Sequence, residues 1–401
     1  MTQIPDFSDK QDQMTETLLQ WSAINSGSLH VAGLNQMKQH LISAFSPLNA
    51  ETNDIILPEY RQISDQGLET TSALGSLLTL TKRPKAPLQI LLCGHMDTVY
   101  GQHHPFQTPR FIDDNCLNGP GVADMKGGLL VMLEALTYLE SLPEKEEIGW
   151  RVCINPDEEL GSPGSASYLA QFAPQYDYAL VFEPALTPEG LFAAARKGSG
   201  LFTLIVHGHS AHIGRNPEQG KHAIMGLMQL VQSIHQLNTL RPGLFINVGY
   251  CHGGGPLNMI PDLALAKIAI RTGSVEDEKW CPEKIADILR VFQEKYQMKT
   301  TWTGHFHRPP KPFDLKHQAL FAHLKTCGAA MGLPLSWTDT GGCCDGNNLA
   351  KEGLVTIDTM GVRGGQIHSD QEYILLDSLP ERVALTVRLL LTLCEQDHAQ
   401  G

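Results

Sequence analysis

Acidic and histidine side chains recur just beyond the apolar runs of this 401-residue chain. His95 and Asp97 follow a run ending at Cys93. Asp157, Glu158 and Glu159 follow one ending at Ile154. Glu183 directly follows Phe182, and His368 lies a short loop after a run ending near Thr359. Asp124 sits inside Gly119-Pro-Gly-Val-Ala-Asp-Met-Lys-Gly-Gly128, a glycine-rich loop that opens a helical stretch. Imidazole and carboxylate together suit a divalent metal: imidazole favours zinc, and carboxylates neutralise charge and can bridge two ions. A carboxylate beside a ligand histidine, as Asp97 stands to His95, is the usual device that fixes its tautomer. Taken singly, each residue has a plainer reading. A strand-end His or Asp is an ordinary turn residue, and an Asp-Glu-Glu run is an ordinary solvated surface or helix start. The glycine-rich loop fits neither the P-loop nor the dinucleotide pattern, and no His-Glu-x-x-His is present.

The elements that carry these residues give them a common place. Met14 to Phe45 reads as helical with a break near Asn25–Ser28. Gln89–Cys93, Arg151–Ile154 and Tyr178–Phe182 read as strands, and Met125–Leu142 as a helix. Strands alternating with helices predict a mostly parallel sheet with helices on both faces. In such a sheet ligands bind in the crevice beyond the carboxyl ends of the strands, which is where the acidic and histidine groups fall. The pattern changes near Lys197. Leu201–Val206, Leu244–Tyr250, Leu263–Arg271 and Lys299–Phe306 read as strands. His222–Leu237 and a proline-opened Pro282–Tyr296 read as helices. That β-α-β-β-α-β order is the ferredoxin-like split unit. Arg308-Pro309-Pro310-Lys311-Pro312 marks a return crossing, after which a helix at Leu320–Met331, a strand at Leu354–Thr359 and a helix at Ser378–Cys394 resume the α/β pattern. The fold expected is therefore a larger α/β domain (1–195 and 309–401), a mostly parallel sheet with helices on both faces, into which a smaller ferredoxin-like α+β domain (196–308) is inserted.

Composition narrows the partners. Lys plus Arg is 30 against Asp plus Glu 43, a net charge of −13, which argues against nucleic acid or an anionic membrane surface. Nine scattered cysteines, none in a Cys-x-x-Cys pair, point to a reduced interior. No signal peptide is visible, and no apolar run approaches the ~20 residues that span a bilayer. A cytoplasmic enzyme acting on a small molecule is the expectation.

Seven motifs then occur in order: Gly94-His-Met-Asp-Thr-Val99, the glycine-rich loop, Asp157-Glu-Glu159 with Gly161-Ser162, Glu183-Pro184, His209-Ser-Ala-His212, Asn258-Met-Ile-Pro261 and His368-Ser369. Together they resemble the co-catalytic zinc metallopeptidase family of carboxypeptidase G, aminoacylase, acetylornithine deacetylase and succinyl-diaminopimelate desuccinylase, over nearly the whole chain. The His95–Tyr100 segment and the glycine-rich loop look most like the glutamate carboxypeptidase branch. The resemblance implies two zinc ions, with cobalt or manganese as substitutes. His95 and Glu183 would bind one, Glu159 and His368 the other, and Asp124 would bridge them, with a cis peptide before Met125. It implies that Asp97 orients His95 and that Glu158 is the general base. It further implies a homodimer in which His212 reaches a neighbouring site, with Asn258, Arg271, Gly342 and Asp345 at the substrate. The reaction implied is cleavage of an amide next to a free carboxylate, as in a glutamate-type carboxypeptidase. An N-acyl-amino-acid deacylase would use the same groups, and a non-catalytic binding protein on the same fold is the reading from another class. Gly341-Gly342 and Asp345 resemble a second glycine-rich loop, at the substrate, and Cys343-Cys344 depart from the small or hydroxyl residues usual there; buried packing is their plainer role.

Overall fold

Buried parallel strands are near-continuous apolar runs because both faces are covered, and Leu88–His95 shows the consequence. Ile90 and Leu92 enter one large apolar cluster, while Leu91 and Cys93 enter a second on the opposite face. The computed structural model describes residues 4–400, with side chains to 396. Its central sheet has six strands in the order Glu51–Ile56, Ser76–Lys82, Ile148–Asn155, Leu88–His95, Tyr178–Val181 and Val355–Ile357. The last four run parallel, and the first two form an antiparallel edge that the alternating pattern did not predict. The helices Gln11–Ser22, Val31–Phe45, Gly127–Leu139 and Ser378–Gln400 supply residues to the larger cluster. Ala166–Phe172 and Asp345–Lys351 help to cover the other face. The Gly127–Leu139 helix can lie close against the Phe182 strand end because a side chain at Gly128 would collide with the Phe182 carbonyl oxygen.

Gly198–His207, Phe245–Gly253, Leu263–Thr272 and Lys299–Arg308 form a separate antiparallel sheet with the split-unit order. Helices Ala223–Gln236 and Val275–Tyr296 cover one face and share an apolar cluster with Phe202, Leu204, Val206, Ile268 and Ile270. The second helix does not begin at Pro282. It starts at Val275, where Ser274 accepts from the Asp277 backbone N–H, and carries the proline inside. The Ser cap, with Glu276, Asp277 and Glu278 in the first turn, sets the start further upstream. A short hairpin pairing Tyr60–Ile63 with Glu69–Ser72, absent from the sequence reading, reaches across to this second sheet.

Candidate metal centre

The strand Leu88–His95 ends on its own functional residue. Met96 N–H donates to the Asn155 carbonyl at 2.8 Å, continuing the ladder past the donor-bearing end. His95 is buried. Its Nδ1–H donates to the Asp97 backbone carbonyl at 3.0 Å, and an Asp97 carboxylate oxygen lies 3.3 Å from the same nitrogen. That fixes the tautomer and turns Nε2 inward, 3.0 Å from Asp124 Oδ1 and 3.8 Å from Glu183 Oε1. The other Asp124 oxygen, Oδ2, lies 3.2 Å from His368 Nε2, which is also 3.2 Å from Glu159 Oε2. One carboxylate therefore faces two imidazoles, each with a second carboxylate of its own. The Asp124–Met125 peptide is cis.

Neighbouring residues on an extended strand would point apart, and Glu158 and Glu159 face the same cleft because the chain turns there. Glu158–Leu160 is a single tight helical turn, ended by Gly161 at φ 91°. Asp97 organises it: its carboxylate accepts the Glu158 and Glu159 backbone N–H groups at 3.2 and 3.1 Å and the Ser28 hydroxyl at 2.7 Å. Glu158 Oε1 pairs with Arg308 Nη2 at 2.5 Å, and the same nitrogen donates to the Glu158 carbonyl and to Ser162 Oγ.

The donor set fits divalent cations. Ligand atoms of His95, Asp124 and Glu159 lie within 4.8 Å of one another, as do those of His95, Glu158 and Glu183. Glu158 is distinguished from the other donors by its guanidinium partner. The crowding of carboxylates shows in the proton affinities. Hydrogen bonds to Asp124 and then Glu159 push His368 up to about 11. Burial works against a charge on His95, yet Asp124 and Asp97 hold it well above the usual imidazole range. Burial, then Asp124, pushes Glu159 up to about 7. Burial also raises Glu158, with Arg308 pulling the other way. A cavity with this excess of acid is one that positive charge completes.

The cleft has a volume of about 480 Å³. Arg271 and Gly342 line it, with Arg271 donating to Ser199 Oγ and the Gly342 carbonyl accepting from Arg196 Nη1 at 3.3 Å. Cys343 is half-buried on its wall and Cys344 is buried beside it. One substrate-contact expectation is corrected. Asp345 is buried, and its carboxylate accepts from Asn155 Nδ2, Ser162 Oγ and Asn348 Nδ2 and so anchors the helix Asp345–Lys351. Asn258 is exposed and lies outside the cleft, with its Nδ2 3.5 Å from His212 Nε2. His212 also stays outside its own chain's cleft, its Nδ1 accepting the Gly214 backbone N–H.

Two residues of the site carried no usable signal in the sequence. Arg308 reads as part of a proline-rich crossing. Glu372 sits in a polar loop, yet it is buried and accepts the backbone N–H groups of Gly121, Ala123 and Asp124 and the Tyr100 hydroxyl. It is the brace of the Asp124 loop.

The model of peptidase family M20/M25/M40 matches residues 91–392. Carboxypeptidase G2 of Pseudomonas sp. (strain RS-16) is 28% identical over 316 residues, 76% of this chain and 74% of that protein. Succinyl-diaminopimelate desuccinylase 1 of Alteromonas mediterranea is 26% identical over 329 residues, 77% and 82% of the two chains. Among solved structures, a tripeptidase from Staphylococcus aureus superposes with a TM-score of 0.74 at 18% identity, covering 96% of this chain and 99% of that one. A Bacillus subtilis protein described as a dinuclear metal binding peptidase gives 0.67 at 12%, covering 96% and 99%. At these identities the structural likeness speaks for the fold.

Proposed function

The chain belongs to peptidase family M20/M25/M40 and is a metal-dependent hydrolase, and from that premise we propose that it cleaves an amide bond next to a free carboxylate, in the manner of a glutamate-type carboxypeptidase, with two zinc ions. The observation that carries the reading is the Asp124 carboxylate with one oxygen toward His95 and the other toward His368. His95 and Glu183 would hold one ion, Glu159 and His368 the other, and Asp124 both. Ions held there supply Lewis acidity, which polarises a carbonyl and makes a water more acidic.

The chain's own residues do the rest. Asp97 holds His95 in the tautomer that keeps Nε2 free for a ligand role. Glu158 takes the proton of the attacking water and delivers it to the leaving nitrogen, a general acid–base task. Arg308 favours the ionised form of Glu158 that this requires. Arg271, lining the cleft beside Ser199, offers its guanidinium fork to the substrate carboxylate, and Gly342 lines the same end. Residues 196–308 act as a lid and dimerisation domain in a cytoplasmic homodimer. Phe245–Gly253 is an edge strand with most of its residues exposed, and pairing two such strands covers that edge in both copies. His212 and Asn258, outside their own cleft and beside each other, would then serve the partner's cleft, with His212 steadying the developing oxyanion. Similarity to the Alteromonas desuccinylase over 77% of the chain supports a second reading, N-acyl-amino-acid deacylation with the same groups.

A panel of N-acyl amino acids and dipeptides ending in glutamate, run with Glu158→Gln and Glu159→Gln, tests the reading. Glu158→Gln keeps its metal and loses ~10²–10⁴-fold in kcat, whereas Glu159→Gln loses metal affinity. Near-normal turnover of a metal-loaded Glu158→Gln protein would remove Glu158 from the role.

A further inference from the structure

The chain crosses between the two sheets twice, entering the second at Gly198 and leaving it after Arg308. The way out, Pro309-Pro310-Lys311-Pro312, offers a single backbone N–H, because proline has none. That one, on Lys311, donates to the Arg196 carbonyl at 3.0 Å, and the Arg196 N–H donates back to the Lys311 carbonyl at 3.1 Å. The same two residues send their side chains to one carboxylate. Asp358 Oδ2 lies 2.7 Å from Arg196 Nε and 2.9 Å from Lys311 Nζ, and all three side chains are buried. On the side of this pair nearer the second sheet, the carbonyls of Lys197 and Pro309 find a common donor. Both accept from Asn347 Nδ2, at 3.0 and 2.7 Å.

Asn347 itself belongs to the opposite wall of the cleft. It is buried in the helix Asp345–Lys351, and its Oδ1 accepts the Cys344 backbone N–H at 3.1 Å. A primary amide has two N–H donors, and here each takes a carbonyl from a different crossing. The residues it holds adjoin the cleft on both sides. Gly342, Cys343 and Cys344 line one wall. Lys197 stands two residues before Ser199, and Pro309 directly follows Arg308. Ser199 is the cross-strand partner of both Arg271 and Arg308, and these three line the other wall. Two arginines also tie the walls together: Arg196 Nη1 donates to the Gly342 carbonyl and Arg308 Nη1 to the Cys343 carbonyl, each at 3.3 Å. Those bonds come from long side chains and exceed the usual range of about 2.7–3.2 Å. The short, enclosed Asn347 amide makes the tighter link.

We propose that Asn347 is a positioning residue of the hydrolytic site. With Oδ1 on the loop and Nδ2 on the root of the second sheet, it sets the separation between the glycine-rich wall and the Arg271–Ser199–Arg308 row. That separation decides whether one substrate carboxylate can meet Arg271 and the Gly342 wall together. Asn347 lines no part of the cleft and so acts only through the residues it holds. The proposal rests on the amide-cleavage reading for the group that is anchored, while the placement itself is read without substrate.

Asn347→Leu replaces the amide by an apolar group of similar size, and Asn347→Ala serves if the leucine variant fails to fold. The zinc-loaded proteins are compared by backbone hydrogen exchange and by steady-state kinetics on the best substrate among N-acyl amino acids and dipeptides ending in glutamate. The Arg196, Lys197 and Lys311 N–H groups do not bond to Asn347. Their exchange is nevertheless expected to quicken about 10-fold or more, while Leu88–His95 keeps its protection and the zinc content is unchanged. KM is expected to rise about 10- to 100-fold, the range covered by a lost hydrogen bond to a charged group, with kcat held within about threefold. A protein that is merely destabilised loses active molecules, which lowers kcat at unchanged KM. Exchange at the crossings unmoved, or KM unmoved, in the variant that folds overturns the assignment. If the parent protein hydrolyses no member of the panel, the cleavage reading falls, and the exchange comparison alone upholds or overturns the placement.

Discussion

Replacing Arg308 by methionine should displace the acid limb of the pH profile to higher pH. Arg308 is buried, and its Nη2 sits 2.5 Å from Glu158 Oε1 and 3.8 Å from Asp345 Oδ1. Its positive charge favours the ionised Glu158 carboxylate and so lowers the pKa of that group, against a burial that raises it. Two charges about 4 Å apart at an effective dielectric of 20 interact by about 4 kcal/mol, which at 1.36 kcal/mol per unit would be about 3 units. Opposite charges at such distances shift carboxylates by about 1–3 units. Without the guanidinium, Glu158 stays protonated up to a higher pH and cannot accept the water proton there. The acid limb of kcat/KM, which reports the essential base of the free enzyme, is therefore expected about 1–3 units higher in Arg308→Met, with activity recovering as pH rises. Arg308→Lys keeps the charge and loses the fork, so its limb should fall between the two. Removing one member of a buried ion pair typically destabilises by about 3–5 kcal/mol, so urea unfolding accompanies the profile and the lysine variant carries the test if the methionine variant does not fold. A uniform drop in kcat/KM at every pH, with the limb unmoved in both variants, would refute the electrostatic role.

Other outcomes follow from the same geometry. Chelation should abolish hydrolysis and re-addition of zinc restore it, as read by metal analysis alongside turnover; a fully active metal-free protein would sink the metal centre. Mixing inactive His212→Ala protein with inactive Glu158→Gln protein should recover up to roughly a quarter of normal activity, since about half the dimers are mixed and each has one intact site. Subunit exchange proven without recovery would mean that His212 works within its own chain or not at all. Glu372→Gln turns an amide NH₂ toward backbone donors that now meet a carboxylate oxygen, leaving buried donors unpaired at about 1–3 kcal/mol each. Lower stability to denaturant and ~10- to 100-fold weaker zinc binding are expected; unchanged values for both would deny it the bracing role.

The sequence makes some of these residues visible and hides others for a physical reason. His95, Glu158 and Glu183 announce themselves because a strand buried on both faces is an apolar run, and a polar residue at its end stands out. Glu372 and Asp345 have no such contrast. One lies among polar residues and the other stands close to a glycine pair, Gly341-Gly342, much as Asp124 stands among glycines, yet Glu372 and Asp345 are tied by hydrogen bonds to donors on other segments while Asp124 faces the imidazoles. What separates them is whether the fold brings hydrogen-bond donors or open cleft to the carboxylate, and those partners are as much as 272 positions away in the chain. The hairpin over 60–72 is hidden in the same way. Its strands are mostly polar, and only the far sheet against which Asp65 closes gives it a place.

The acids of this site therefore divide by partner. Asp124, Glu159 and Glu183 face imidazoles and are the natural hosts of cations. Asp97 and Glu372 take backbone N–H groups from the segments that carry those hosts. Asp97 belongs partly to both sets, since it touches His95 and also caps the Glu158–Glu159 turn. One carboxylate thereby couples a strand end that presents a ligand to the neighbouring strand end that presents the base. Loss of Asp97 should for that reason disturb metal affinity and proton transfer together, whereas loss of Glu372 acts through the Asp124 loop and should leave the pH limb set by Glu158 and Arg308 where it is.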